Sequence, residues 1–330
     1  MVSSQGDSRP AMVMVLTAGD DPGLRLLEGA AAPGVRFVRG GSLEDLREAA
    51  KTAEALYYSG GGRALLESVV ASAGALRWVH LRMAGIDEIV FRGLVRDGLV
   101  VTNARGVYSA SLAEFALGGI LHFAKDFRRM LRSQARGAWD PYDVVGLRGQ
   151  TLGIVGYGDI GSHVAEAARG FGLRVLALRR RRPEAGEDTP VAEFLVPDGL
   201  PTLMERSDHV VAALPLTAET RGLIDAAAIR AMKPSAVFVN VGRGRTVDEP
   251  ALVRALEEKR IRGAALDVFE QEPLPPGHPF YRLENVLLSP HCADHTLTWH
   301  EDSARLFLEN LARFRRGDPL RNVVDLSRGY

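Results

Sequence analysis

Between Thr151 and Gly172 a short apolar run passes directly into Gly156-x-Gly158-x-x-Gly161 and then into a segment with one apolar face. A strand delivered into that spacing and followed by a helix leaves few folds open. It calls for a tight turn at Gly156, exposed backbone at Gly158 and close helix–strand packing at Gly161, the βαβ arrangement that seats a pyrophosphate. Free amides and the helix dipole favour an anion at that helix start. We expect Gly156, Tyr157, Gly158, Asp159, Ile160 and Gly161 to line a dinucleotide site. The helix reads as Ile160–Gly172, with Ile160, Val164, Ala167, Ala168 and Phe171 facing inward.

The same alternation runs along most of the chain. Ala11–Thr17, Ala55–Ser59, Leu76–Leu81 and Leu99–Thr102 read as strands, with helices at Leu43–Ala53 and Arg63–Ala73 between them. Further strands are expected at Thr151–Gly156, Leu173–Leu178, His209–Leu214, Ala236–Val241, Gly263–Val268 and Val286–Ser289. Asp225 and Asp248 are helix N-caps, and Thr298-x-x-Glu301 reads as a capping box opening a helix to Arg316. In that last helix Ala304, Phe307, Leu308, Leu311 and Phe314 face inward. Residues 1–10 read as a loose tail, and Pro183–Asp198 as a surface loop. This is an α/β chain with parallel sheets, and its 330 residues suit about two domains.

Lys plus Arg and Asp plus Glu number 41 each, so no global field draws the chain to nucleic acid or a membrane surface. The longest mostly apolar stretch, Phe115–Ala124, is far shorter than the roughly 20 residues a spanning helix needs. One cysteine, Cys292, and no apolar leader fit a cytoplasmic protein. No residue is assigned to a metal. The one local charge run, Arg179–Arg182, falls at the end of the second strand of the βαβ unit. A carboxylate there suits the ribose 2′-hydroxyl of NAD, whereas a guanidinium holds a 2′-phosphate. Arg179 and Arg180 therefore argue for NADP(H) over NAD(H).

Three segments behind successive strands carry the remaining chemistry. They hold Arg243, Glu272 and His291. In open α/β sheets ligands bind beyond the carboxyl ends of the strands, so the three can converge. Reduction of a keto acid needs a cation for the carboxylate and carbonyl, which suits Arg243. It needs a proton donor, which suits His291, and a carboxylate to orient the imidazole, which suits Glu272.

The chain resembles the D-isomer-specific 2-hydroxyacid dehydrogenase family. The resemblance rests on Ala84-Gly85-Ile-Asp87, Asn103 to Val107, Ala113-Glu114, the Gly156 loop, Leu214 to Thr217, Asn240 to Glu249, Asp267 to Pro273 and Pro290-His291. It implies two doubly wound lobes, with a Rossmann domain over residues 107–295 inserted into a flavodoxin-like substrate domain of residues 1–106 and 296–330. It implies catalytic roles for Arg243, Glu272 and His291. It makes the Ala84 and Gly85 amides the substrate-carboxylate site, and adds Leu214, Pro215, Thr220, Val241, Gly242 and Asp267 to the cofactor contacts, with Asp267 facing the nicotinamide carboxamide. It implies a homodimer built on an arm between Phe123 and Gly149, in which Trp139 either reaches the partner's site or packs inside its own subunit. Two places depart from the family pattern: Ala213 where histidine is frequent, and Asp294-His295 where a small-residue run is usual. The implied activity is reduction of a small 2-keto acid, like that of glyoxylate and hydroxypyruvate reductases. The alternatives are a 3-phosphoglycerate dehydrogenase and a cofactor-gated corepressor-like binding protein. A formate dehydrogenase is disfavoured by Glu272.

Overall fold

In the first strand apolar side chains alternate between two cores, Val13 and Val15 on one side and Met14 and Leu16 on the other. A strand buried on both faces belongs inside a helix-covered parallel sheet. The computed structural model describes residues 11–29, 34–181 and 189–328, and divides into two compact units. The tail expected over residues 1–10 and part of the expected 183–198 loop lie outside the described residues. No described helix is long and apolar enough to cross a membrane.

Unit 1 comprises residues 1–108 and 297–330. Its elements are β1 (Ala11–Leu16), α1 (Leu24–Gly29), β2 (Val35–Gly40), α2 (Leu43–Ala50), β3 (Ala55–Tyr58), α3 (Arg63–Ser72), β4 (Trp78–Leu81) and β5 (Val100–Asn103). The sheet is wholly parallel in the order β2-β1-β3-β4-β5, the flavodoxin-like order. Strand β2 is absent from the sequence reading, because Val35–Gly40 interleaves two arginines with its apolar residues and lies at the sheet edge. The chain returns to this unit in its closing helix, Trp299–Arg316, which lays Ala304, Phe307 and Leu311 on the Val13–Val15 face. Trp78 and Phe307 stack there with centroids 5.0 Å apart. The expected Thr298–Glu301 capping box is not formed; Thr298 Oγ1 instead donates to Asp302 Oδ2 at 2.7 Å.

Unit 2 comprises residues 109–296. It opens with α4 (Ser109–Ala124) and α5 (Phe127–Ala135). There follow β6 (Thr151–Val155), α6 (Asp159–Gly170), β7 (Arg174–Leu178), β8 (Val191–Leu195), α7 (Leu200–Arg206), β9 (His209–Ala212), α8 (Ala226–Ala231), β10 (Val237–Asn240), α9 (Glu249–Glu257), β11 (Gly263–Leu266) and β12 (Val286–Leu288). The closing helix of unit 1 is thus α10. All seven strands are parallel, in the order β12-β11-β10-β9-β6-β7-β8, with the switch of winding direction beside β6. Asp225 and Asp248 cap α8 and α9 as expected, accepting from the Ala228 and Ala251 amides.

Two expectations fail here. Val191–Leu195 is a strand rather than loop: it is half-buried, and it pairs with β7 across a register shift. On α6 the buried residues are Gly161, Val164, Ala165 and Ala168, and Phe171 is exposed. The buried face is rotated because Gly161 approaches the sheet.

Candidate active site

Within unit 2 the glycine loop leaves β6 and turns at Gly156, whose φ is +103°. A Cβ at Gly156 would meet the Ala213 carbonyl oxygen at 2.8 Å, and one at Gly161 would collide with the Gly156 carbonyl. Gly158, by contrast, faces open space: nothing lies within 4 Å of where its Cβ would stand, and no side chain caps α6. Uncapped amides behind an open glycine are what a pyrophosphate requires. The Asp159 side chain is held by the buried Ser109 hydroxyl. Ile160 is half-buried beside it.

The far end of β7 is built for a planar cation. The Arg179 guanidinium lies 5.6 Å from the Phe194 ring and 6.0 Å from the Tyr157 ring. Those rings meet edge-on at 5.0 Å, and Tyr157 Oη is 2.7 Å from Thr189 Oγ1. Arg180 is exposed and contributes to holding the Glu219 carboxyl below its ordinary range, behind the Thr217 hydrogen bond and the Glu219 amide. On the neighbouring loop Thr220 Oγ1 donates to the Pro215 carbonyl at 2.6 Å and accepts from the Thr217 amide at 2.8 Å. Leu214 follows β9, and its backbone lies within 3 Å of where a Gly242 Cβ would stand.

The loops after β10, β11 and β12 come together at the same edge. Gly244 makes this possible, because any side chain there would run into the Phe269 backbone. Buried Asn240 shapes the first loop: its Oδ1 accepts from the Gly242 amide and its Nδ2 donates to the Arg243 carbonyl, both at 3.1 Å. Val241 is buried, and half-buried Arg243 donates from Nη1 to the Gly242 carbonyl at 2.9 Å. The second loop begins with Asp267, only 1% exposed. Its Oδ1 accepts from Ser289 Oγ at 2.6 Å and from the Cys292 and Ala293 amides at 3.0 Å each. Those amides directly follow His291, whose φ is +51°, in the left-handed region that non-glycine residues seldom enter. A buried carboxylate thus fixes the backbone that carries the imidazole.

Glu272 completes the arrangement. Its Oε2 is 2.5 Å from His291 Nδ1, and its Oε1 accepts from the Phe269 amide at 2.9 Å. Burial works to raise the Glu272 pKa. The His291 and Phe269 hydrogen bonds and the charges of His291 and Arg243 outweigh it, leaving the carboxyl below its usual range. The same hydrogen bond lifts His291 above the usual histidine range against burial, with the charges of Glu272 and Asp267 adding to the rise and Arg243 opposing. Arg243, Glu272 and His291 therefore form one electrostatic cluster. Sequence reasoning assigned no role to Asn240 or Ser289 and missed the clamp made by Asp267; Asn240 opens a quoted motif and Ser289 adjoins one. It also missed Phe194, which lies on the unforeseen strand β8.

A family model for the D-isomer specific 2-hydroxyacid dehydrogenase NAD-binding domain matches residues 117–293. The chain belongs to the D-isomer-specific 2-hydroxyacid dehydrogenase family. It is an NAD(P)-dependent oxidoreductase acting on CH–OH donors. Among relatives of this dehydrogenase, the glyoxylate reductase of Korarchaeum cryptofilum is 40% identical over 263 residues, 78% of each chain. The D-3-phosphoglycerate dehydrogenase of Methanocaldococcus jannaschii is 33% identical over 88% of this chain but only 55% of its own length. A D-isomer specific 2-hydroxyacid dehydrogenase from Xanthobacter autotrophicus, solved with NADPH and MES, matches with a TM-score of 0.81 at 30% identity, covering 97% of this chain and all of that one.

In unit 1 of the dehydrogenase, Ala84 and Gly85 follow β4 in a firmly held segment. Ala84 O accepts from Asn103 Nδ2 at 2.7 Å, and Arg82 O accepts from the Tyr108 hydroxyl and, at 3.2 Å, from Ser303 Oγ. The Arg82 guanidinium meets buried Asp21 at 3.2 Å and lies over the Trp299 ring at 4.7 Å. Trp139, in unit 2, is 97% exposed, which overturns the alternative of packing inside its own subunit.

Proposed function

We propose that this dehydrogenase reduces a small 2-keto acid of the glyoxylate and hydroxypyruvate type, with Arg243, Glu272 and His291 as its catalytic residues. The observation that carries the reading is the 2.5 Å His291–Glu272 pair within reach of the Arg243 charge. Arg243 holds the substrate carboxylate and polarises the keto oxygen. The amides of Ala84 and Gly85 in unit 1, the substrate domain, provide the second carboxylate contact. The cofactor, when bound, supplies hydride to the carbonyl carbon. His291 gives up its Nε2 proton to the oxygen as charge develops there. Nδ1 stays bonded to Glu272, which stabilises the imidazolium and fixes the ring. In the reverse direction neutral His291 takes the hydroxyl proton.

Gly156 to Gly161 hold the pyrophosphate. Leu214, Pro215, Thr220, Val241 and Gly242 line the rest of the cofactor groove, with the free oxygen of Asp267 toward the carboxamide. NADP(H) is preferred over NAD(H), because the rings of Tyr157 and Phe194 pre-set Arg179 for a 2′-phosphate and Arg180 adds a second charge. The protein works as a homodimer. Phe127, Met130, Leu131, Trp139 and Val144 are exposed apolar side chains on one arm, the kind of patch a partner subunit covers. A 3-phosphoglycerate dehydrogenase is the weaker reading, since this chain spans about half of that relative.

The test is steady-state reduction of glyoxylate, hydroxypyruvate, pyruvate and phosphohydroxypyruvate with each cofactor. Turnover of the small acids with NADPH is expected. Replacing Arg179 and Arg180 by alanine lowers kcat/KM for NADPH by about 10- to 100-fold and leaves NADH nearly unaffected. Equal efficiency of the two cofactors in the unaltered protein would refute the arginine argument.

A further inference from the structure

Asp294 stands three residues beyond His291, just past the two amides that Asp267 clamps. Its Oδ1 is buried yet has no hydrogen-bond partner. His295 Nε2 lies 3.7 Å from it, beyond hydrogen-bonding distance. A buried acceptor left unsatisfied costs about 1–3 kcal/mol, and native structures keep few of them. Four such side-chain atoms occur among the described residues. Tyr57 and His80 sit in the unit 1 core, and His209 begins β9, at the opposite end of that strand from the site. Only Asp294 combines an orphaned oxygen with a place beside the acid–base imidazole.

We propose that Asp294 is a specificity-determining residue whose free oxygen accepts a hydrogen bond from a hydroxyl group on the carbon next to the substrate carbonyl. This rests on the keto-acid reading above. Asp294 lies three residues from His291 and its carboxyl is acted on by the His291 charge, and the carbon next to the keto group adjoins the carbonyl that His291 serves. A neutral donor suits the site, because Arg243 and His291 already supply cations there. Burial pushes the Asp294 carboxyl above its ordinary range, with His295 opposing and Asp267 adding to the rise. A protonated carboxyl still accepts from a hydroxyl through its carbonyl oxygen. A methyl group in the same place leaves the oxygen unpaired, which is how a polar site rejects an apolar analogue.

The experiment measures kcat/KM with NADPH for hydroxypyruvate, pyruvate and glyoxylate in the unaltered protein, Asp294→Asn and Asp294→Ala. The unaltered protein is expected to favour hydroxypyruvate over pyruvate by about 10- to 100-fold, mainly in KM. Asp294→Ala collapses that ratio toward one. Asp294→Asn, which keeps an acceptor oxygen, retains part of it. The ratio is internal to each variant, so a partly misfolded preparation does not mimic the effect. A ratio near one in the unaltered protein, or one unmoved in Asp294→Ala, overturns the assignment while glyoxylate reduction continues. Failure to reduce any of the three acids instead strikes the keto-acid reading itself, and the assignment falls with it.

Discussion

Each sheet of this dehydrogenase has a buried aspartate near its carboxyl edge, and the two aspartates bind different kinds of partner. In unit 1, Asp21 holds mainly side chains: Ser59, Arg82 at 3.2 Å and His300 at 2.8 Å, with one amide, that of Gly23, at 2.9 Å. In unit 2, Asp267 holds mainly backbone, the successive amides of Cys292 and Ala293. The first arrangement steadies the segment that runs on to Ala84 and Gly85, the proposed carboxylate contacts. The second steadies the loop that presents the His291 side chain. On the proposed function, a carboxylate bound to side chains leaves backbone for a ligand, and one bound to backbone leaves a side chain for it.

The largest effect falls where the presented group is itself removed. His291→Ala is expected to lower kcat by about 10²- to 10⁴-fold with cofactor affinity preserved, read by steady-state rates and a cofactor titration. Near-normal turnover would remove His291 from its role. The aspartates come next. Asp21→Ala strands a mostly buried guanidinium and lowers stability by about 3–5 kcal/mol in denaturant unfolding, with its kinetic effect in KM. Asp267→Ala leaves two amides and a hydroxyl without their acceptor, costing about 1–3 kcal/mol for each one that finds no other partner, with its kinetic effect in kcat. If both variants raise KM alike, the contrast between the two clamps is lost.

The subtlest effect concerns pH. Reduction needs the protonated imidazole, so the rate is sustained at low pH and falls as pH rises through the His291 pKa. Glu272 holds that pKa above the ordinary histidine value. Glu272→Gln therefore moves the falling limb to lower pH. An unmoved limb would mean that the carboxylate does not act on the proton being transferred.

Much of this was legible in the sequence, because spacing and periodicity record backbone demands. The Gly156 loop, the N-caps Asp225 and Asp248, and the inward face of α10 all follow from local rules. What stayed hidden depends on partners distant in the chain. Strand β2 is a charged edge, and β8 follows a stretch rich in Pro and Glu, so neither carries a clear period-two signal. Phe171 fits the helical stripe and is still exposed, because Gly161 sets which side of α6 meets the sheet. That Arg243, Glu272 and His291 converge could be anticipated from residue type and place. The three donors on Asp267 Oδ1 could not, since nothing local ties residue 267 to residues 289–293.

The left-handed backbone at His291 has a consequence for anyone borrowing this chemistry. The direction of the Cα–Cβ bond there is set by an uncommon torsion, itself held by a carboxylate 24 positions upstream. Moving the histidine to the adjacent position would aim the ring elsewhere, however freely its rotamers turned. A grafted version in another scaffold would therefore have to import aspartate, amides and imidazole as one indivisible part.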